Sequence, residues 1–113
     1  MATATFIHDG DTIDFTPGTN VAAGDVVVQN DLVGVAKRDI PTGTLGSLAV
    51  VGVFDVPKAT APGSAIGTGV KVYWDEAEAV AKTDAEAGAN KYLGKTVRAA
   101  ADADATVRVR LEQ

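Results

Sequence analysis

Short aliphatic and β-branched runs, each closed by a turn-forming pair, follow one another along almost the whole chain. Val26-Val27-Val28-Gln29 follows Gly24-Asp25 and is closed by Asn30-Asp31, after which Leu32-Val33-Gly34-Val35-Ala36 returns, the pattern of a hairpin. Pro41-Thr42-Gly43-Thr44 is a further turn. Leu48 to Val56 reads as one long strand ended by Pro57, and Ala61-Pro62-Gly63-Ser64 reads as loop. Val70-Lys71-Val72-Tyr73-Trp74 begins in alternation. Thr106 to Leu111 alternates throughout, with Val107, Val109 and Leu111 on one face. Strand, turn and strand at near-even spacing predict an all-β fold: a small single-domain sandwich or barrel of short antiparallel strands. Glycine turns precede strands near Gly24, Gly43 and Gly67-Thr68-Gly69 without a fixed period, so they are turns of one domain rather than of a solenoid.

One stretch competes with this reading. Asp75 to Lys82, extended by Asp84 to Ala87, is rich in helix-forming Ala and Glu. A helix this short is marginal alone, and the stretch has no apolar stripe. The favoured expectation is a hairpin that turns at Asp75-Glu76 and returns through Ala79-Val80-Ala81. The alternative is one short helix near residues 75–87. Residues 1–20, with Asp9-Gly10-Asp11 and Pro17-Gly18, are expected as an N-terminal arm, and residues 21–113 as the β domain.

Composition narrows what such a domain can do. The 113 residues fit one domain, and 46% are apolar, but most of these are Ala and Val, with one Trp, two Tyr and three Phe. Small side chains bury little area each, so the chain gains modest stability alone and has reason to oligomerise or to coat a surface. The net charge is −5, and the ten Lys and Arg are scattered along the sequence, which argues against nucleic-acid binding. The absence of cysteine removes disulfides and thiolate chemistry. No apolar run reaches the roughly 18 residues of a membrane span, and the N-terminus lacks a signal-peptide pattern.

The motifs that imitate chemistry fail on inspection. Gly88 and Gly94-Lys95-Thr96 resemble a phosphate-binding loop, but five residues separate the first glycine from the ending where the loop requires four, and a strand rather than a long helix is expected over Thr96-Val97-Arg98-Ala99. A hairpin turn at Gly88-Ala89-Asn90 is the better reading. Gly67-x-Gly69 lacks the third glycine of a dinucleotide loop, so no cofactor is expected. Asp9-Gly10-Asp11 and Asp102-Ala103-Asp104 have the wrong spacing for a calcium loop, and no metal is expected. His8 has no identified nucleophile beside it. Val53, Phe54, Tyr73 and Trp74 are candidate core or subunit-interface anchors. Phe6 and Ile7 are candidate anchors of an arm that adds a strand to a neighbouring chain or surface.

The order of motifs resembles the DUF2190 type of tailed-phage capsid cement or decoration protein. The matching pieces are Val21-Ala-Ala-Gly-Asp-Val26, Leu32-Val-Gly-Val-Ala36, Gly52-Val-Phe-Asp-Val-Pro-Lys58, Gly69-Val-Lys-Val-Tyr-Trp-Asp75 and Val107-Arg-Val-Arg-Leu111, in the family's order over about residues 3–111. Gly94-Lys95-Thr96-Val97 departs from the family's glycine and small apolar residues, so Lys95 is expected to point to solvent or a neighbouring chain. The resemblance implies a non-enzymatic, mostly β protein, made in the host cytoplasm, that decorates the capsid exterior of the virion. It implies partners in the major capsid protein lattice and in itself, as a homotrimer, with no nucleic acid and no membrane. An alternative is a small-molecule-binding or enzyme-accessory β-barrel, which would need a pocket lined by Trp74, Tyr73 and Phe54.

Overall fold

The computed structural model describes residues 3–113, so the first two residues of the expected arm lie outside it. Among the described residues nine strands form two antiparallel sheets, as the spacing of runs and turns predicts. They are β1 (Thr12–Phe15), β2 (Val26–Gln29), β3 (Leu32–Val35), β4 (Gly46–Ala49), β5 (Val51–Pro57), β6 (Lys71–Asp75), β7 (Val80–Lys82), β8 (Lys91–Thr96) and β9 (Thr106–Glu112). The first sheet runs β1-β4-β3-β2 and the second β5-β9-β8-β6-β7. A parallel bridge between Lys58 and Ala81 joins the chain just beyond β5 to β7, so the second sheet curls toward closure.

The β2–β3 hairpin forms as its turn residues require. Gln29 pairs with Leu32, and Asn30 takes a left-handed conformation, φ 54°, which its short polar side chain tolerates. In β9 the alternation resolves as expected, with Val107, Val109 and Leu111 all buried between β5 and β8. Together with Val33, Val35, Val56, Val72, Trp74 and Leu93 they build the main core, to which both sheets contribute. A smaller core gathers Ala36, Ile40 and Leu48 under the first sheet.

The stretch 75–87 is a hairpin, with Trp74 opposite Ala81 and Asp75 opposite Val80. Asp75 decides it: its carboxylate accepts the Glu78 N–H at 3.1 Å and meets Lys82 Nζ at 2.8 Å, which ties turn to return strand. Helix propensity survives only as a single 3-10 turn, Glu86–Gly88.

Two expectations need correction. Residues 48–56 are not one strand: β4 ends at Ala49, β5 begins at Val51, and the two belong to different sheets. The break comes where Val50 donates its N–H to Asp11 O and Gly52 adopts φ 136°, a conformation that side chains rarely reach. From Leu48 to Phe54 no polar residue interrupts the run, so no alternation reveals the change of sheet. Thr96 to Ala99 is not a strand either, because β8 ends at Thr96. The Thr96 hydroxyl donates to Gly67 O at 2.6 Å and accepts from Val70 N–H at 2.9 Å, anchoring the strand end to the preceding loop.

Residues 12–15 of the N-terminal segment are paired with β4, Ile13 opposite Leu48. The stretch before Thr12 lies in no strand among the described residues.

Candidate functional site

The outer face of the second sheet carries an ordered set of charged side chains. Register alone sets its central row. Val53 on β5 is opposite Arg110 on β9, Arg110 is opposite Lys95 on β8, and Lys95 is opposite Lys71 on β6. All four are exposed, so three cations stand side by side with a valine at the end of the row. Like charges directly opposed across strands are unfavourable. One carboxylate among the described residues comes within ion-pair reach of the row: Glu112, 3.4 Å from Arg110 and 3.8 Å from Lys95. The Tyr92 hydroxyl, with Lys95, Arg110 and Lys71 behind it, holds the Glu112 carboxyl below its ordinary range. Burial, reinforced by that hydrogen bond to Glu112, pushes the Tyr92 phenol up to about 12.

Beside the row lie Tyr73 and Tyr92, edge to face at 5.7 Å, and Val51 opposite Glu112. On the other side Arg108 grips Asp55 through two hydrogen bonds, of 2.9 and 3.2 Å. Arg108 thereby holds the Asp55 carboxyl below its usual value. Gly94 permits the close approach of β8 and β9 beneath this face. A Cβ there would sit 1.9 Å from Arg110 O.

The expected anchors divide by strand parity. Trp74 points inward into the main core and Phe54 packs half-buried against it, whereas Tyr73 points outward. Val53 is 55% exposed, and Phe6 and Ile7 are 79% and 78% exposed. No single pocket can therefore be lined by Trp74 and Tyr73 together. An open groove of about 460 Å³ between the sheets has Trp74 in its wall with Phe15, Val26, Val28 and Pro57, but neither Tyr73 nor Phe54.

The phosphate-loop imitation is resolved into separate elements. Gly88 ends the 3-10 turn, Gly94 and Lys95 lie within β8, and the Thr96 hydroxyl is committed to the protein. Asp104 caps its own loop, accepting the Ala101 N–H at 2.8 Å, whereas Asp102 reaches across to the loop after β5 and accepts the Ala65 N–H at 2.7 Å. Those backbone contacts, from Ala65 first and Gly63 next, hold the Asp102 carboxyl below its ordinary value.

Sequence reasoning missed Lys58. Its side chain is buried, and Nζ lies 2.7 Å from Ala59 O, 2.9 Å from Ala101 O, 3.0 Å from Asp104 O and 3.2 Å from Asp102 O. An ammonium with three donors is thus shared among four carbonyls, clamping the loop after β5 to the loop before β9. The fifth partner, Ser64 Oγ at 3.4 Å, is the most distant, and the other four acceptors are backbone, so residue types announce little of this.

A family model described as phage cement protein matches residues 7–111. The chain belongs to the phage cement protein family. Searches of curated proteins and of solved structures found no significant match. For this cement-family chain, membership indicates a structural, capsid-associated role.

Proposed function

We infer that this chain decorates the outer surface of a phage head as a homotrimer, without catalysis, in the manner of the DUF2190 type. The observation that carries the reading beyond family membership is excess surface. A compact monomer of 11.5 kDa is expected to expose about 5,800 Å², whereas this chain exposes 6,839 Å². Roughly 1,000 Å² beyond the compact expectation, with Phe6, Ile7, Leu45 and Val53 in the open, suits a chain that completes itself against neighbours. Repetition over a lattice then strengthens modest contacts through avidity.

In this reading the residues before β1 form the arm, with Phe6 and Ile7 as its anchors on a neighbouring chain or on the shell, while Val53 and Tyr73 serve subunit contact. Light scattering on purified protein tests the oligomer, and co-sedimentation with capsids tests decoration. Deletion of residues 2–8 tests the arm: the truncated chain should remain folded and bind capsids poorly. A truncated chain that unfolds would place the segment in the core and refute the arm.

A further inference from the structure

We propose that the cationic row on the outer face of the second sheet receives the acidic β6–β7 hairpin of the next copy, an inference that rests on the trimer reading above. The chain is −5 overall, yet the centre of this face carries Lys71, Lys95, Arg108 and Arg110 against Asp55 and Glu112. That patch is +2, so the remainder of the chain sums to −7. Two copies approaching through most other surfaces meet like charge, and this face is where attraction is available.

The row is also poorly explained as an internal device. Arg110, Lys95 and Lys71 oppose one another directly, and a single carboxylate, already engaged by the Tyr92 hydroxyl, serves them. An arrangement unfavourable to the lone chain is intelligible if carboxylates arrive from outside. Around the row, Tyr73, Tyr92, Val51 and exposed Val53 supply the aromatic and apolar ground from which interface hot spots are built.

The complementary patch is on the same molecule. From Asp75 to Glu86 the hairpin and its following loop carry five acids against Lys82. Asp75 is buried and meets Lys82 at 2.8 Å, and Glu78 and Glu86 also reach Lys82. Glu76 and Glu78 on the hairpin and Asp84 and Glu86 on its loop stay exposed, four acids against one cation that Asp75 already engages. The row spans three strand spacings, about 14 Å, which the side chains of a two-stranded hairpin and its loop can cover. The two patches differ, so the contact is head-to-tail, and head-to-tail contacts close into rings when the rotation allows, three copies for a trimer.

The test is sedimentation equilibrium of the full chain across a concentration series at about 50 mM and about 500 mM NaCl, between which the screening length falls from about 14 to about 4 Å. Association should weaken with salt. The variant Lys71→Glu/Lys95→Glu should raise the dissociation constant at least about tenfold, and so should Glu76→Lys/Glu78→Lys. Combining all four substitutions reverses both patches and should restore association. Lys95→Gln guards against misfolding: removing the middle cation should leave the unfolding midpoint unchanged or higher while association weakens. A wild-type oligomer indifferent to the reversals overturns this inference and leaves the trimer standing. Failure of the four-fold variant to reassociate, while folded, removes the hairpin as the occupant. A wild-type chain that stays monomeric throughout removes the solution trimer and this inference with it.

Discussion

Replacing Lys58 with methionine keeps the stem of the side chain and deletes the ammonium that four backbone carbonyls share. Hydrogen bonds to charged groups contribute about 1.5–3 kcal/mol each, so three donors set an upper limit of roughly 5–9 kcal/mol. Two effects reduce it. The folded chain no longer bears the desolvation of a buried cation, which is several kcal/mol. Water can also reach part of the loop 101–105, whose residues are exposed, and satisfy some of the carbonyls. The expected net loss is about 2–4 kcal/mol, equivalent to roughly 8–16 °C in Tm at about 4 °C per kcal/mol for a chain of this size. Urea unfolding followed by the fluorescence of Trp74, the single tryptophan and a core residue, measures it directly. Because Lys58 is buried, the loss should change little with salt. Hydrogen exchange should place the earliest opening in the loops after β5 and before β9. A loss below about 0.5 kcal/mol, typical of an ordinary surface substitution, would refute the clamp.

Further outcomes follow from the same geometry. The Lys82 hydrogen bond, followed by the Glu78 N–H, holds the Asp75 carboxyl down to about 2 from an ordinary 3.8. A depressed carboxyl contributes stability that is fully present above its unfolded value and is lost as pH falls through its folded one. The Tm should therefore drop between about pH 4 and pH 2, and Asp75→Asn should lower stability at neutral pH while flattening that part of the profile; an unchanged acid limb in the variant would count against the pair. Gly94→Ala should cost at least about 2 kcal/mol or prevent folding, because its Cβ would meet Arg110 O at 1.9 Å and backbone must move. Gly10→Ala, with nothing within 4 Å, should stay within about 0.5 kcal/mol of wild type in the same urea assay. Equal costs at the two glycines would show that close approach of β8 and β9 is not what Gly94 serves.

What could be read in the sequence was what local chemistry decides. The β2–β3 hairpin was legible because Asn30-Asp31 is a turn pair between two β-branched runs. Strand β9 was legible because one face is buried and its period of two exposes that fact in Val107, Val109 and Leu111. The β6–β7 hairpin was legible only as a preference over a helix, since the contact of Asp75 with Lys82 that ties turn to return strand exists only once the two strands pair. Tertiary structure decided the rest. Leu48 to Val56 divides between two sheets because each half has a different core to fill, which a stretch with no polar residue before Asp55 does not encode. Lys58 became a clamp through carbonyls 43 to 46 residues away, and backbone acceptors leave no trace in residue identity. Lys71, Lys95 and Arg110 look scattered along the chain. They form a row because strand order and register, set by the packing of the opposite face, bring three distant positions level on one exposed surface.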